Sequence, residues 1–138
     1  MIIGNQGFTG EMMVEIRSAH VLVVDDDFGN TAMIEAFLLD CNYEVSIATN
    51  SSQVVDMATT LLPDVILMDI LMPKINGFDL AKLLHQNPRT KDIPIIFVSA
   101  LTEHNEISEA FANYAKDYIT KPIDLHELLA SIRETLDL

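Results

Sequence analysis

Asp25, Asp26 and Asp27 stand directly after the apolar run 21–24, and Asp69 stands directly after the run 65–68. Ser99 follows the run 93–98, and Lys121 follows the stretch 118–120 with Pro122 behind it. Carboxylates gathered at one place repel unless they are solvated, protonated or bridged by a cation. A hard divalent ion is the usual remedy, and Mg²⁺ takes one or two carboxylates, backbone oxygen, water and a phosphate oxygen. A hydroxyl and an ammonium on the far side could hold the remaining phosphate oxygens. The set therefore reads as a magnesium-dependent phosphoryl site, provided that the fold brings these runs to one edge.

Each residue alone has a plainer reading. An Asp run after a strand can cap a helix, Asp69 can end a strand in a turn, and Ser99 can cap the next helix. A lysine before proline is most often a solvated one. Together those readings would require four separate strand ends to supply complementary groups by coincidence.

The surrounding pattern says how the residues are positioned. Runs 21–24, 65–68 and 93–98 are continuous and apolar, short enough for strands buried on both faces. Residues 43–48 alternate, with Val45 and Ile47 on one side, and 118–120 makes a short last strand. Helical patterns lie between them. Asn30 is the expected cap of a first helix facing inward with Ile34, Phe37 and Leu38. Ser51 opens a second, with Val54, Val55, Ala58 and Leu61 or Leu62, and Pro63 stops it. A loop through Pro73 and Gly77 leads to a third, bearing Phe78, Leu80, Ala81, Leu83 and Leu84. A fourth is expected over about 103–112, and Leu125, Leu128, Leu129, Ile132 and Leu136 mark the last.

Five strands alternating with five helices predict an α/β fold, a parallel sheet covered on both faces and doubly wound by right-handed crossovers. In such sheets ligands bind beyond the carboxyl ends of the strands, where Asp25, Asp26, Asp69, Ser99 and Lys121 fall.

The segments VLVVDDD, DVILMDILMPKINGFDL, IPIIFVSAL and DYITKPI resemble, in this order and spacing, the receiver domain of two-component response regulators. The resemblance covers residues 20–138 and implies a flavodoxin-like five-stranded parallel sheet of order 2-1-3-4-5 with five helices. It implies Asp69 as the phosphoacceptor, Asp26 as a direct Mg²⁺ (or Mn²⁺) ligand, Asp25 acting mainly through a coordinated water, and the Leu71 carbonyl as a further ligand. Asp27 is the weakest match of the acidic trio. Ser99 matches the hydroxyl that bonds the phosphoryl group, Lys121 its salt-bridging partner, and Tyr118 the aromatic switch that turns when Ser99 and the 101–105 loop move inward. The Lys121–Pro122 bond is cis in that family. The implied partner is a sensor histidine kinase or a His-containing phosphotransfer protein, facing the first helix and the 121–123 loop. The output partner is unspecified, and self-association through the Tyr118 face after phosphorylation is a further expectation. On this reading the chain is a signalling phosphoacceptor rather than an enzyme, assisting only its own phosphorylation and dephosphorylation.

Two departures from common receivers bear on behaviour. Leu71 and Leu101, two residues beyond Asp69 and Ser99, are apolar where the hydrolytic water approaches, which predicts slow autodephosphorylation. Tyr114 stands where many receivers have Gly; it reads as a packing residue, with Asn113 able to take the helix-ending conformation. The rivals are a haloacid-dehalogenase-like phosphatase, with Asp25 as nucleophile and Asp27 as acid, and a pseudo-receiver that keeps the fold without phosphorylation. The first family wants Thr or Val where Gly29 stands, and the second usually lacks an acidic or Lys position that is present here.

Composition agrees with this picture. A chain of 138 residues, 49% apolar and 21% charged, suits one globular domain, expected over 19–138 after a flexible extension over 1–18 rich in breakers such as Gly4, Gly7 and Gly10. Twenty-one acidic against eight basic residues give a net charge of −13, which argues against nucleic-acid binding by this chain. The lone Cys41, the lack of a visible signal peptide and the lack of an apolar run near the roughly 18 residues of a membrane span predict a cytoplasmic protein that is not a membrane one. His20, His85, His104 and His126 have no metal-ligand spacing. A stand-alone regulator and a piece of a longer one are equally compatible with the sequence.

Overall fold

The computed structural model describes residues 18–100 and 114–136. Strands β1 (His20–Val24), β2 (Glu44–Ala48), β3 (Val65–Met68), β4 (Ile95–Ser99) and β5 (Asp117–Thr120) form one sheet of order β2-β1-β3-β4-β5. All four pairings are parallel, with Val24 level with Ala48 and with Met68, and Ser99 level with Thr120. The described helices are α1 (Phe28–Asp40), α2 (Val54–Leu61), α3 (Gly77–Gln86) and α4 (Leu125–Thr135). The helix expected over 103–112 lies outside the described residues, as does all of the expected extension except Ser18.

The apolar runs are buried on both sides because alternate side chains feed two cores. Val21, Val23, Val65, Leu67, Ile96 and Val98 meet Ile34 and Leu38 of α1 and Leu128 and Ile132 of α4. Leu22, Val24, Ile66, Met68, Ile95 and Phe97 meet Val54 and Ala58 of α2 and Leu80, Ala81 and Leu84 of α3. The expected face of the last helix holds in full, since Leu125, Leu129 and Leu136 also pack on the first of these cores.

Strands β1 and β5 start one residue earlier than expected and β2 one residue later, and three further boundaries differ for local reasons. Asn30 is not the cap of α1: Asp27 has the extended backbone and its Oδ1 accepts the Asn30 N–H at 3.0 Å, so the helix begins at Phe28. The Asp carboxylate reaches the backbone three residues on, which satisfies one of the orphan donors at a helix start. Ser51 opens a short 3₁₀ turn, Ser51–Gln53, rather than the α-helix itself. Strand β4 starts at Ile95 and includes Ser99, because Ile93 still bonds back to Thr90 in a turn and Pro94 contributes only its carbonyl, to Ile66 N–H.

Candidate functional site

The carboxyl ends of β1, β3, β4 and β5 are neighbours, so the residues just beyond each strand arrive at one edge. Backbone pairing continues beyond the strands: Asp25 N–H bonds Ala48 O at 3.1 Å, Asp69 N–H bonds Val24 O at 2.9 Å, and Lys121 N–H bonds Ser99 O at 2.9 Å. The side chains are thereby fixed to the sheet rather than carried on free loops. Asp25, Asp26 and Asp69 each present a carboxylate oxygen, all within 4.8 Å of one another. Asp25 and Asp69 are buried, at 3% and 4% exposure, while Asp26 is exposed.

Lys121 reaches across from the far side. Its Nζ lies 2.9 Å from Asp25 Oδ2 and 3.3 Å from Asp69 Oδ2. One ammonium is thus shared between two buried carboxylates. Asp25 Oδ1 also accepts the Asp27 N–H at 2.9 Å, and its Oδ2 accepts from the Asn30 amide at 3.5 Å. Asp69 Oδ1 accepts the Leu71 N–H at 3.3 Å. Burial pushes the Asp69 carboxyl above its ordinary value and the charge of Asp25 adds to this; Lys121 and the Leu71 N–H work the other way without prevailing. For Lys121 burial alone would lower the ammonium, but the hydrogen bond to Asp25 and the charges of Asp69 and Asp25 outweigh it and hold it above its ordinary value.

Ser99 is fully buried at the end of β4. Tyr118, half-buried on β5, is hydrogen-bonded to its side chain; burial raises the phenol, the Ser99 bond opposes this, and the Asp69 charge adds to it. The Lys121–Pro122 bond is cis. Leu71, 56% exposed, stands open beside Asp69, whereas Leu101 lies outside the described residues. Tyr114 packs on the α2–α3 core with its ring edge-on to His85 at 5.6 Å, the packing role expected of it.

Asp27 Oδ1 caps α1, and its carboxylate is not among the three gathered within 4.8 Å. Two contributors were not expected from the sequence. The Asn30 side chain approaches Asp25, a contact visible only once α1 is known to start at Phe28. Gly77 presses on the backbone of Asp69, where a Cβ would overlap the Asp69 carbonyl and stand 2.8 Å from the Ile70 Cα.

An all-oxygen set of clustered carboxylates next to a shared ammonium suits a hard divalent cation and a phosphoryl group. A family model described as the response regulator receiver domain matches residues 21–133. Response regulator PleD of Caulobacter vibrioides is 39% identical over 116 residues, 84% of this chain and 26% of that protein. Protein PilH of Pseudomonas aeruginosa is 35% identical over 118 residues, 86% of this chain and 98% of that protein. The crystal structure of the chemotaxis protein CheY4 of Vibrio cholerae superposes with a TM-score of 0.82 at 29% identity, covering 87% of this chain and all of that one. The chain spans about a quarter of PleD and about half of the regulator RpaA of Synechocystis, at 26% and 48% of their lengths.

Proposed function

From the premise that this chain belongs to the response regulator receiver domain family, we propose that Asp69 is its phosphoacceptor and that Lys121 and Ser99 bind the transferred group. The observation that carries this reading is the convergence of Asp25, Asp26 and Asp69 within 4.8 Å, with Lys121 bridging two of them. A carboxylate oxygen of Asp69 attacks the phosphorus of a phosphohistidine; the O–P bond forms, the P–N bond breaks, and the imidazole nitrogen leaves with that electron pair and takes a proton. Little covalent chemistry is asked of the protein beyond the nucleophile, and the rest is positioning and charge stabilisation.

Asp25, Asp26, Asp69 and the Leu71 carbonyl would hold Mg²⁺ or Mn²⁺, Asp25 mainly through water, and the ion when bound neutralises phosphoryl oxygens. Lys121 shifts from the carboxylates to a phosphoryl oxygen on the opposite side. Ser99 donates its hydroxyl to another, and the Tyr118 hydrogen bond to Ser99 is given up as it does so, which frees the ring to turn. Domain limits of 19–138 fit this assignment. The donor would be a histidine kinase or His-containing phosphotransfer protein facing α1 and the 121–123 loop, in the cytoplasm. An output partner and phosphorylation-dependent self-association would follow from the altered Tyr118 face. Leu71 shields the acyl phosphate from water, so autodephosphorylation is slow. The phosphatase rival is disfavoured because Asp25 is held by Lys121 and Asp27 is committed to capping α1.

The test is labelling by acetyl phosphate with and without Mg²⁺. Wild type should take label only with the metal, and Asp69→Asn should take none. Label retained by Asp69→Asn, or phosphate release from a small monoester by that variant, would sink the assignment.

A further inference from the structure

We infer that Asn30 is a positioning residue for Asp25, the neutral donor that keeps Asp25 Oδ2 in place when Lys121 moves to an incoming phosphoryl oxygen. This rests on the assignment of Asp69 and Lys121 made above. Asp25 is 3% exposed, so bulk solvent, as distinct from a water held on a metal ion, is poorly placed to replace a donor that leaves. Its Oδ1 is held by the Asp27 N–H at 2.9 Å. Its Oδ2 has two donors, Lys121 Nζ at 2.9 Å and Asn30 Nδ2 at 3.5 Å. While the ammonium is at 2.9 Å the amide contributes little, since its own 3.5 Å is beyond the usual range of a strong hydrogen bond. When the ammonium leaves, a buried carboxylate oxygen would lose its main partner, a costly state. The half-buried Asn30, in the first turn of α1, is the group already aimed at that oxygen and able to close on it.

The residue type suits the task. A carboxamide satisfies the oxygen without adding a positive charge beside a cation site, which a Lys or Arg at this position would do. Nor is the side chain spent on the helix start. It is the backbone N–H of Asn30, not its amide, that the Asp27 carboxylate caps at 3.0 Å. Replacing the Asn30 side chain therefore leaves the cap intact, and replacing the Asp27 side chain leaves the Asn30 amide and the Asp27 N–H bond intact.

The experiment is a double-mutant cycle on the full chain, read by isothermal titration with Mg²⁺ and by thermal unfolding without it. Lys121→Met imitates the departure of the ammonium. Asn30→Ala should weaken Mg²⁺ binding less than about twofold when Lys121 is present, and about tenfold or more in the Lys121→Met background, the scale of one lost hydrogen bond to a charged group. Asn30→Ala should melt close to wild type, whereas Asp27→Ala should melt several degrees lower and keep its Mg²⁺ affinity, as a cap variant would. An equal effect of Asn30→Ala in both backgrounds, or none in either, overturns the inference. So does a fall in melting temperature matching that of Asp27→Ala with Mg²⁺ affinity unchanged. Failure of the wild type to bind Mg²⁺ would instead overturn the metal reading, and this one with it.

Discussion

Gly77 sits so close to the main chain of Asp69 that no methyl group fits between them: a Cβ at position 77 would overlap the Asp69 carbonyl oxygen and stand 2.8 Å from the Ile70 Cα. The Gly77 N–H bonds Ile70 O at 2.8 Å, so α3 begins directly on the backbone next to Asp69. Space, rather than backbone freedom, demands glycine here.

Gly77→Ala is therefore expected to cost about 2 kcal/mol or more, because the atoms in the way are backbone and cannot step aside. It should also shift Asp69 and slow Mg²⁺-dependent labelling. Gly29→Ala is the control. The nearest atom to a Cβ there is Asp27 Oδ1 at 3.1 Å, the capping oxygen of α1 but still the end of a side chain, and position 29 is helical. The gain in helix propensity and the loosened cap oppose each other, so that change should stay within about 1 kcal/mol of wild type. Urea denaturation of both variants checks the contrast, and equal destabilisation would refute it.

The sheet was legible because its signal is simple. Runs such as 65–68 are apolar at every position, which only a strand buried on both faces or a buried helix tolerates, and their length chose between the two. The gathering of Asp69, Ser99 and Lys121 was legible because a parallel sheet sends every such run's end to one edge. Local competition among polar residues is what escaped. Asp27 and Asn30 are both good caps in isolation, and only the path of the chain after Val24 decides that Asp27 does the capping while the Asn30 side chain turns to Asp25. The left-handed Leu62, at φ 47°, was equally unreadable, since leucine has no preference for that conformation and the end of α2 imposes it.

The carboxyl of Asp69 makes stability depend on pH in a definite direction. Burial first, and Asp25 second, raise it above its ordinary 3.8, so the folded protein binds this proton more tightly than the unfolded chain does. Keeping Asp69 ionised is then a cost that is fully present above the raised folded value and disappears as pH falls through the window down to 3.8. In a chelating buffer, Asp69→Asn should be more stable than wild type at neutral pH, and the gap should close on acidification. Denaturation midpoints of the two proteins, followed from about pH 7 to about pH 4, check this. A gap of opposite sign, or one that does not change with pH, would contradict the raised carboxyl.

Leu71 offers the other handle on the same atom. Its N–H donates to Asp69 Oδ1 at 3.3 Å while its side chain is 56% exposed. The backbone bond survives any substitution that keeps an N–H, so the side chain can be changed without removing that contact. A leucine can exclude water from the acyl phosphate and has no group with which to orient one. Leu71→Asn introduces both a donor and an acceptor at that spot, and general acid–base or orienting contacts to a water are worth about tenfold or more in hydrolysis. The expected result is a phosphoryl half-life shortened by about tenfold, with initial labelling by acetyl phosphate changed little and unfolding within about 0.5 kcal/mol of wild type, as suits an exposed position. The decay of labelled protein after removal of the donor measures it. An unchanged half-life in Leu71→Asn would place control of the water elsewhere in the site.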